Sequence, residues 1–196
     1  GSGGFRTAST LDDLFNQSGS FGRNRAPKPV NKSEVGITVS LEEAFIGTKR
    51  QITVSSSLNQ KKIEVEIPPG VDNGSVVNVS LERDTKIALK ITVSSHVRFQ
   101  RKGDDLYVEI DVPLEDAILG SEMEVQTLKG RIWLKIPKES QNGQRIRLAG
   151  QGMSRLSQPD KRGDLYAIVR PVLPENLNES EIKLFKKYKN LRSPKE

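Results

Sequence analysis

The chain of 196 residues has no cysteine. Disulfides, thiolate nucleophiles and cysteine-ligated zinc are therefore outside its chemistry. It has one histidine, His96, in a stretch that reads as a connector, where a lone histidine is expected at the surface. A Ser-His-Asp or Cys-His site has nothing further to draw on. No GxxxxGK[ST] phosphate loop and no strand-GxGxxG-helix fingerprint occurs. Aromatic residues make up only 5% of the chain, and no apolar run approaches the ~20 residues that a membrane-spanning helix needs. The adjacent acids Asp104 and Asp105 precede an alternating run and read as turn residues, not as a catalytic pair. These absences leave an enzyme reading without residues and imply no cofactor. They point to a protein that acts through its surface.

What the chain does contain is a repetition. Leu41–Gly47 reads LEEAFIG, and Leu114–Gly120 reads LEDAILG. Asp116 answers Glu43, and Ile118-Leu119 answers Phe45-Ile46. An alternating run precedes each copy, first Val35, Ile37 and Val39, then Val108, Ile110 and Val112. Alternation at period two marks a half-buried strand. Acids after the leucine suit the first turn of a short helix, and glycine suits its stop. Further on, Ile132–Pro137 answers Ile63–Pro68, and Asn142-Gly143 answers Asn73-Gly74. Two such copies make a duplicated domain, not a solenoid.

The predicted fold is all-β: two tandem β-sandwich domains of related sequence, each with a short helix, followed by a C-terminal α-helix. Residues 1–34, rich in Gly, Ser and Asn with scattered Phe, read as a flexible linker. Residues 35–103 form the first domain, 104–174 the second, and 175–196 the helix and tail. Within the first, Thr48–Val54 is a strand, Ser55–Gln60 a polar loop and Ser94–Gly103 a connector. Gly150–Met153 is a glycine-hinged loop that the first copy lacks. Asn178 with Glu181 resembles a capping box. Leu184, Phe185, Tyr188 and Leu191 then fall on one helical face, which either folds back on its own domain or meets another copy of the chain.

The formal net charge is +6, and the excess lies at the ends. Residues 35–180 hold 20 basic and 20 acidic side chains. Solvated charged ends account for this; a nucleic-acid-binding fold usually carries its basic stripe on the domain itself. Exposed strand edges can accept an extended peptide as an added strand. Val35, Ile37, Ile52 and Val54, expected to lie adjacent around LEEAFIG, line such a groove on one reading and are simple core on the other.

In series, several short motifs resemble the C-terminal substrate-binding region of DnaJ-type (heat shock protein 40) co-chaperones. They are LEEAFIG with Thr48-Lys49-Arg50, Ile63–Gly70 (IEVEIPPG), Asn73-Gly74, Arg101–Leu106 (RKGDDL), Leu114–Gly120, Asn142–Leu148 (NGQRIRL), Gly150–Met153 (GQGM) and Gly163–Tyr166 (GDLY). The resemblance implies tandem β-sandwiches that bind non-native polypeptide for delivery to a DnaK-type chaperone. A cysteine-rich zinc module, where the family has one, follows the TKxIxV strand. Here Ser55–Gln60 stands in its place, so the chain looks like the zinc-free class, near the curved-DNA-binding (CbpA) type.

The resemblance also carries residues over. Val35 and Ile37 match one groove strand, Arg50, Ile52 and Val54 the other, and Phe99 an aromatic on the connector. Lys49 and Arg50 are placed to meet an acidic chaperone tail or a peptide carboxylate. With the resemblance, the groove outranks the core reading. One departure is Val97, where proline commonly follows the histidine, which leaves the placement of Phe99 open. Leu184, Phe185, Tyr188 and Leu191 match a dimerisation segment, implying a homodimer. His96 is followed by Val97-Arg98, so the J-domain's His-Pro-Asp motif does not occur. The expectation is a cytoplasmic fragment, not membrane-bound, that does not by itself stimulate a partner's ATPase. DNA binding is the alternative, and pure assembly through the helix a third class.

Overall fold

A computed structural model of the chain describes residues 34–56, 59–80 and 86–193. The linker expected over 1–34 lies outside the described residues except for Glu34, which opens the first strand. The first repeat runs β1 (Glu34–Val39), α1 (Leu41–Ile46), β2 (Thr48–Ser56), β3 (Asn59–Ile67), β4 (Val76–Ser80) and β5 (Lys86–Val93). A short strand β6 (Phe99–Lys102) follows. The second repeat runs β7 (Asp105–Pro113), α2 (Leu114–Leu119), β8 (Ser121–Thr127), β9 (Gly130–Ile136) and β10 (Arg145–Leu148). An excursion, β11 (Ser154–Arg155) and β12 (Gln158–Arg162), precedes β13 (Leu165–Val172), and α3 (Glu179–Arg192) ends the described chain. The fold is all-β with short helices and one terminal helix.

The duplication is visible in the pairing. In the first repeat the order is β1-β5-β4, with β1 parallel and β4 antiparallel to β5. In the second it is β10-β13-β7-β6, with β7 parallel and β10 antiparallel to β13. Each repeat adds a hairpin, β2-β3 or β8-β9. Alternation sends Leu106, Val108, Ile110 and Val112 of β7 inward, and Glu109 and Asp111 outward. They pack with Val125, Leu134, Ile136, Leu165, Ala167 and Val169. Val39, Phe45, Val65, Ile67, Leu89 and Ile91 do the same for the first repeat. Each such side chain contributes roughly 1.5–3 kcal/mol by leaving water.

α1 is only six residues long, so its stability comes from its caps and its buried face. The Ser40 hydroxyl accepts from the Glu43 N–H, and the Glu43 carboxylate accepts from the Ser40 N–H. Leu41, Ala44 and Phe45 are buried beneath. α2 has Pro113 at the capping position and no side-chain cap, and of its residues only Ala117 is buried. Gly47 and Gly120 end the two helices with φ of +80° and +77°, which β-carbon-bearing residues rarely adopt. A Cβ there would also crowd the Ile67 and Ile136 carbonyls, at 3.1 and 3.0 Å.

Three local expectations differ from the structure. The loop expected at Ser55–Gln60 is a tighter hairpin, because pairing continues to Ser55↔Gln60 and Ser56↔Asn59. Backbone hydrogen bonds hold these polar residues in the sheet without help from apolar alternation. The end of the expected connector forms β6, which pairs antiparallel with β7, Phe99 opposite Val108 and Arg101 opposite Leu106. A charged residue at an inward position hid the strand. Arg101 is accommodated because its guanidinium donates to the carbonyls of Val71 (2.6 Å), Gly70 (3.2 Å) and Gly103 (2.8 Å). Burial nevertheless holds Arg101 below its usual pKa. The lone histidine is not a free surface group: His96 is half-buried, its Nδ1 accepting from the Arg98 and Phe99 N–H groups and its Nε2 2.9 Å from Glu42. The glycine-hinged loop after β10 is drawn inward, with Met153 fully buried and its N–H donating to the Asp104 carbonyl.

Candidate functional site

Val35 and Ile37 lie on the inner face of β1, and Ile52 lies on the inner face of β2 opposite Ile63. They do not lie on adjacent strands, contrary to the expectation from the sequence. β1 pairs with β5 and β2 with β3, because α1 carries the chain from one sheet to the other. They meet around a shared core, where Val35, Ile37, Ile52 and Ile63 are partly buried. Val54 continues β2 opposite Lys61, and its side chain lies outside the described set.

The two repeats differ at this place. Val108 and Ile110, the counterparts of Val35 and Ile37, are 2% and 5% exposed, and Val125, the counterpart of Ile52, is also buried. Val35, Ile37 and Ile52 are only half-buried. The pairing bears on the first of these differences. β6 lies beside Asp105–Val108 of β7 and covers that part of its edge, whereas among the described residues no strand occupies the corresponding edge of β1. β2 and its counterpart β8 each have a partner on one side only, so pairing does not separate Ile52 from Val125.

Lys49 and Arg50 stand at the start of β2 but diverge. Alternation places Arg50 on the same face as Ile52, opposite Val65, and Lys49 on the outer face opposite Glu66. Lys49 pairs with Glu64 at 3.7 Å. Arg50 Nη2 donates to both carboxylate oxygens of Glu43, at 2.6 and 2.8 Å. Hydrogen bonds from the Ser40 backbone and from Arg50 hold the Glu43 carboxyl below its usual pKa. The Glu42 carboxyl is lowered as well, by its own backbone N–H first, then by Ser40 and His96. Phe99 goes elsewhere: it is 5% exposed, lies 5.1 Å from the His96 ring and lines a cavity of about 560 Å³ with Leu41 and Val93.

The capping box of α3 forms, Asn178 with Glu181. No residue of the helix is buried. Leu184, Phe185 and Tyr188 face Leu114, Ile118 and Leu119 of α2 across an open apolar cleft of about 580 Å³. Leu191, at 77% exposure, stands beyond it. The helix thus lies beside its own second repeat without covering its stripe. Sequence reasoning missed Glu43 as the partner of Arg50, Ile63 as the partner of Ile52, and the contribution of α2. The signal for α2 was present, since Ile118-Leu119 replaces Phe45-Ile46 and the serine cap is lost.

Fold and site together define a duplicated all-β module in which, among the described residues, the edge of β1 is unpaired, the equivalent edge of β7 is paired along Asp105–Val108, and a terminal helix leaves its apolar stripe exposed. The family model for the DnaJ C terminal domain matches residues 33–174, and the chain belongs to that family. "Chaperone protein DnaJ 2" of Thermus thermophilus is 35% identical over 174 residues, covering 86% of this chain and 59% of that protein. "Chaperone protein DnaJ" of Deinococcus proteolyticus is 32% identical over 201 residues, covering 98% and 63%. The Geobacillus kaustophilus protein of the same name is 36% identical over 140 residues, covering 67% and 36%. The chain therefore spans less than two thirds of the length of these relatives.

Proposed function

We propose that the chain is the polypeptide-binding part of a non-enzymatic DnaJ-type co-chaperone that captures extended, apolar stretches of non-native protein and presents them to a DnaK-type chaperone. The observation that carries this is the difference in burial between Val35 and Ile37 and their counterparts Val108 and Ile110. Equivalent side chains in equivalent sheets are covered in the second repeat and half-open in the first. An extended peptide between β1 and β2 would cover them, with backbone hydrogen bonds supplying affinity that tolerates varied sequence. We read residues 35–103 as the peptide-binding domain and 104–174 as a supporting one, with β6 lent to the second sheet.

The absence of cysteine and the direct β2-β3 hairpin support the reading of a zinc-free, CbpA-like class. Among the described residues no helix is long and apolar enough to cross a membrane, and a cytoplasmic setting fits a DnaK partner. Arg50, on the same face of β2 as Ile52, would meet that partner's acidic tail or a peptide carboxylate, while Lys49 faces away. The apolar cleft between α2 and α3 suits a second copy of the chain, and a homodimer would join two grooves and raise avidity. DNA binding has less support, because Arg131 and Arg147 are each engaged by a carboxylate within the chain.

The test is Ile52→Asp, with Ile52→Ser as a gentler version. Both are expected to weaken suppression of aggregation of an unfolded model protein while the dimer mass is kept. Undiminished suppression by folded variants would count against the groove.

A further inference from the structure

The Arg50 guanidinium lies two residues from Ile52 on the same face of β2, beside the open edge, yet the chain's own Glu43 already engages it. Resting on the groove reading above, we propose that Glu43 is an internal competitor for Arg50. The first groove then favours extended apolar segments that bear a carboxylate, to the extent that this carboxylate displaces Glu43.

Three features support exchange at this pair. First, the pair is accessible, with the Arg50 and Glu43 side chains 45% and 27% exposed. An ion pair in such a setting shifts an equilibrium by only about 1.4- to 5-fold, so a ligand carboxylate held nearby by its apolar neighbours can compete. Second, Glu43 has another partner to keep. Its Oε2 accepts from the Ser40 N–H at 2.9 Å, so α1 stays capped when Arg50 leaves. Third, the pair accompanies the open edge. In the second repeat, where β6 closes the edge, the corresponding residues are Met123 and Asp116, and methionine offers no cation.

The decisive variant is Glu43→Gln. Glutamine serves equally at the third position of a capping box, so the substitution removes the charge and leaves the cap. The probes are a short labelled peptide of alternating leucine and serine carrying one glutamate, and its glutamine twin, titrated by fluorescence anisotropy against the full chain. The quantity read is the ratio of the two affinities. Glu43→Gln is expected to raise the preference for the glutamate peptide by about two- to five-fold. Arg50→Gln, a second route that leaves α1 untouched, is expected to lower it, and Glu43→Gln should add nothing in the Arg50→Gln background. A ratio that stays level or falls in Glu43→Gln overturns the proposal, as does a ratio unaffected by Arg50→Gln. A wild-type chain that binds neither peptide overturns the groove reading and this proposal with it. Equal binding of both peptides by every variant overturns the proposal alone.

Discussion

Replacing Ile110 by alanine, and separately Ile37, its counterpart in the first repeat, asks whether the two equivalent edges are covered alike. Ile110 is 5% exposed, on the inner face of β7. Truncating a fully buried isoleucine loses its transfer energy and leaves a cavity, together about 2–5 kcal/mol, and a middle value of about 3 kcal/mol is reasonable here. Ile37 is already half in water. The same truncation there removes less buried surface and leaves a dent that solvent fills, so roughly 1–1.5 kcal/mol is expected. For a chain of this size each kcal/mol shifts Tm by about 2–4 °C. Ile110→Ala should therefore melt roughly 6–12 °C lower, and Ile37→Ala roughly 2–6 °C lower. Thermal unfolding of the full chain followed by circular dichroism, at one fixed protein concentration, reads both. Peptide affinity should show the reverse order: Ile37→Ala weakens binding about five-fold, the equivalent of roughly 1 kcal/mol, while Ile110→Ala changes it less. Equal losses in Tm would mean that the inner face of β1 is as well covered as that of β7. An open groove beside β1 would then be refuted.

Two further outcomes are expected. Removing residues 178–196, or introducing Ile118→Glu on the opposite wall of the cleft, should turn a dimer into a monomer by light scattering; unchanged mass in both would exclude the α2-α3 cleft as the interface. Acid should destabilise the first repeat through Glu42 and Glu43. Their folded pKa values lie below the ordinary value of 4.5, so their contribution is fully present above that value and is lost as pH falls through the folded pKa. Urea midpoints measured from neutral pH downward should thus fall below about pH 4.5, and Glu43→Gln should flatten part of that fall; an equally steep fall in the variant would refute the assignment.

Much of the architecture was legible locally. Period-two alternation placed β1, β3, β5 and β7, LEEAFIG and LEDAILG placed both short helices, and Asn178 with Glu181 placed the start of α3. These readings succeed because each depends on residues within one or two turns of each other. The misses had a common cause. β6 was hidden because Arg101 occupies an inward position, made acceptable largely by the carbonyls of Gly70 and Val71, some 30 residues earlier. Lys49 and Arg50 look like one basic cluster in the sequence, yet strand pleating sends them to opposite faces. His96 looked like a surface residue until its ring was seen to bridge Glu42 and the following backbone.

The sequence by itself determined the duplication, the element types, the family and the apolar stripe of α3, because hydrophobic period, capping chemistry and motif order are local properties of the chain. Only the tertiary structure decided which edge stays open. The residues at Val35 and Val108 are identical, as are those at Ile37 and Ile110, so nothing local distinguishes them. At Val35 and Val108 the difference goes with β6, which folds back beside Asp105–Val108 of β7, while no described strand does so beside β1. Edge coverage depends on which distant segment arrives, and the same holds for the guanidinium of Arg50, whose partner is set by where α1 places Glu43.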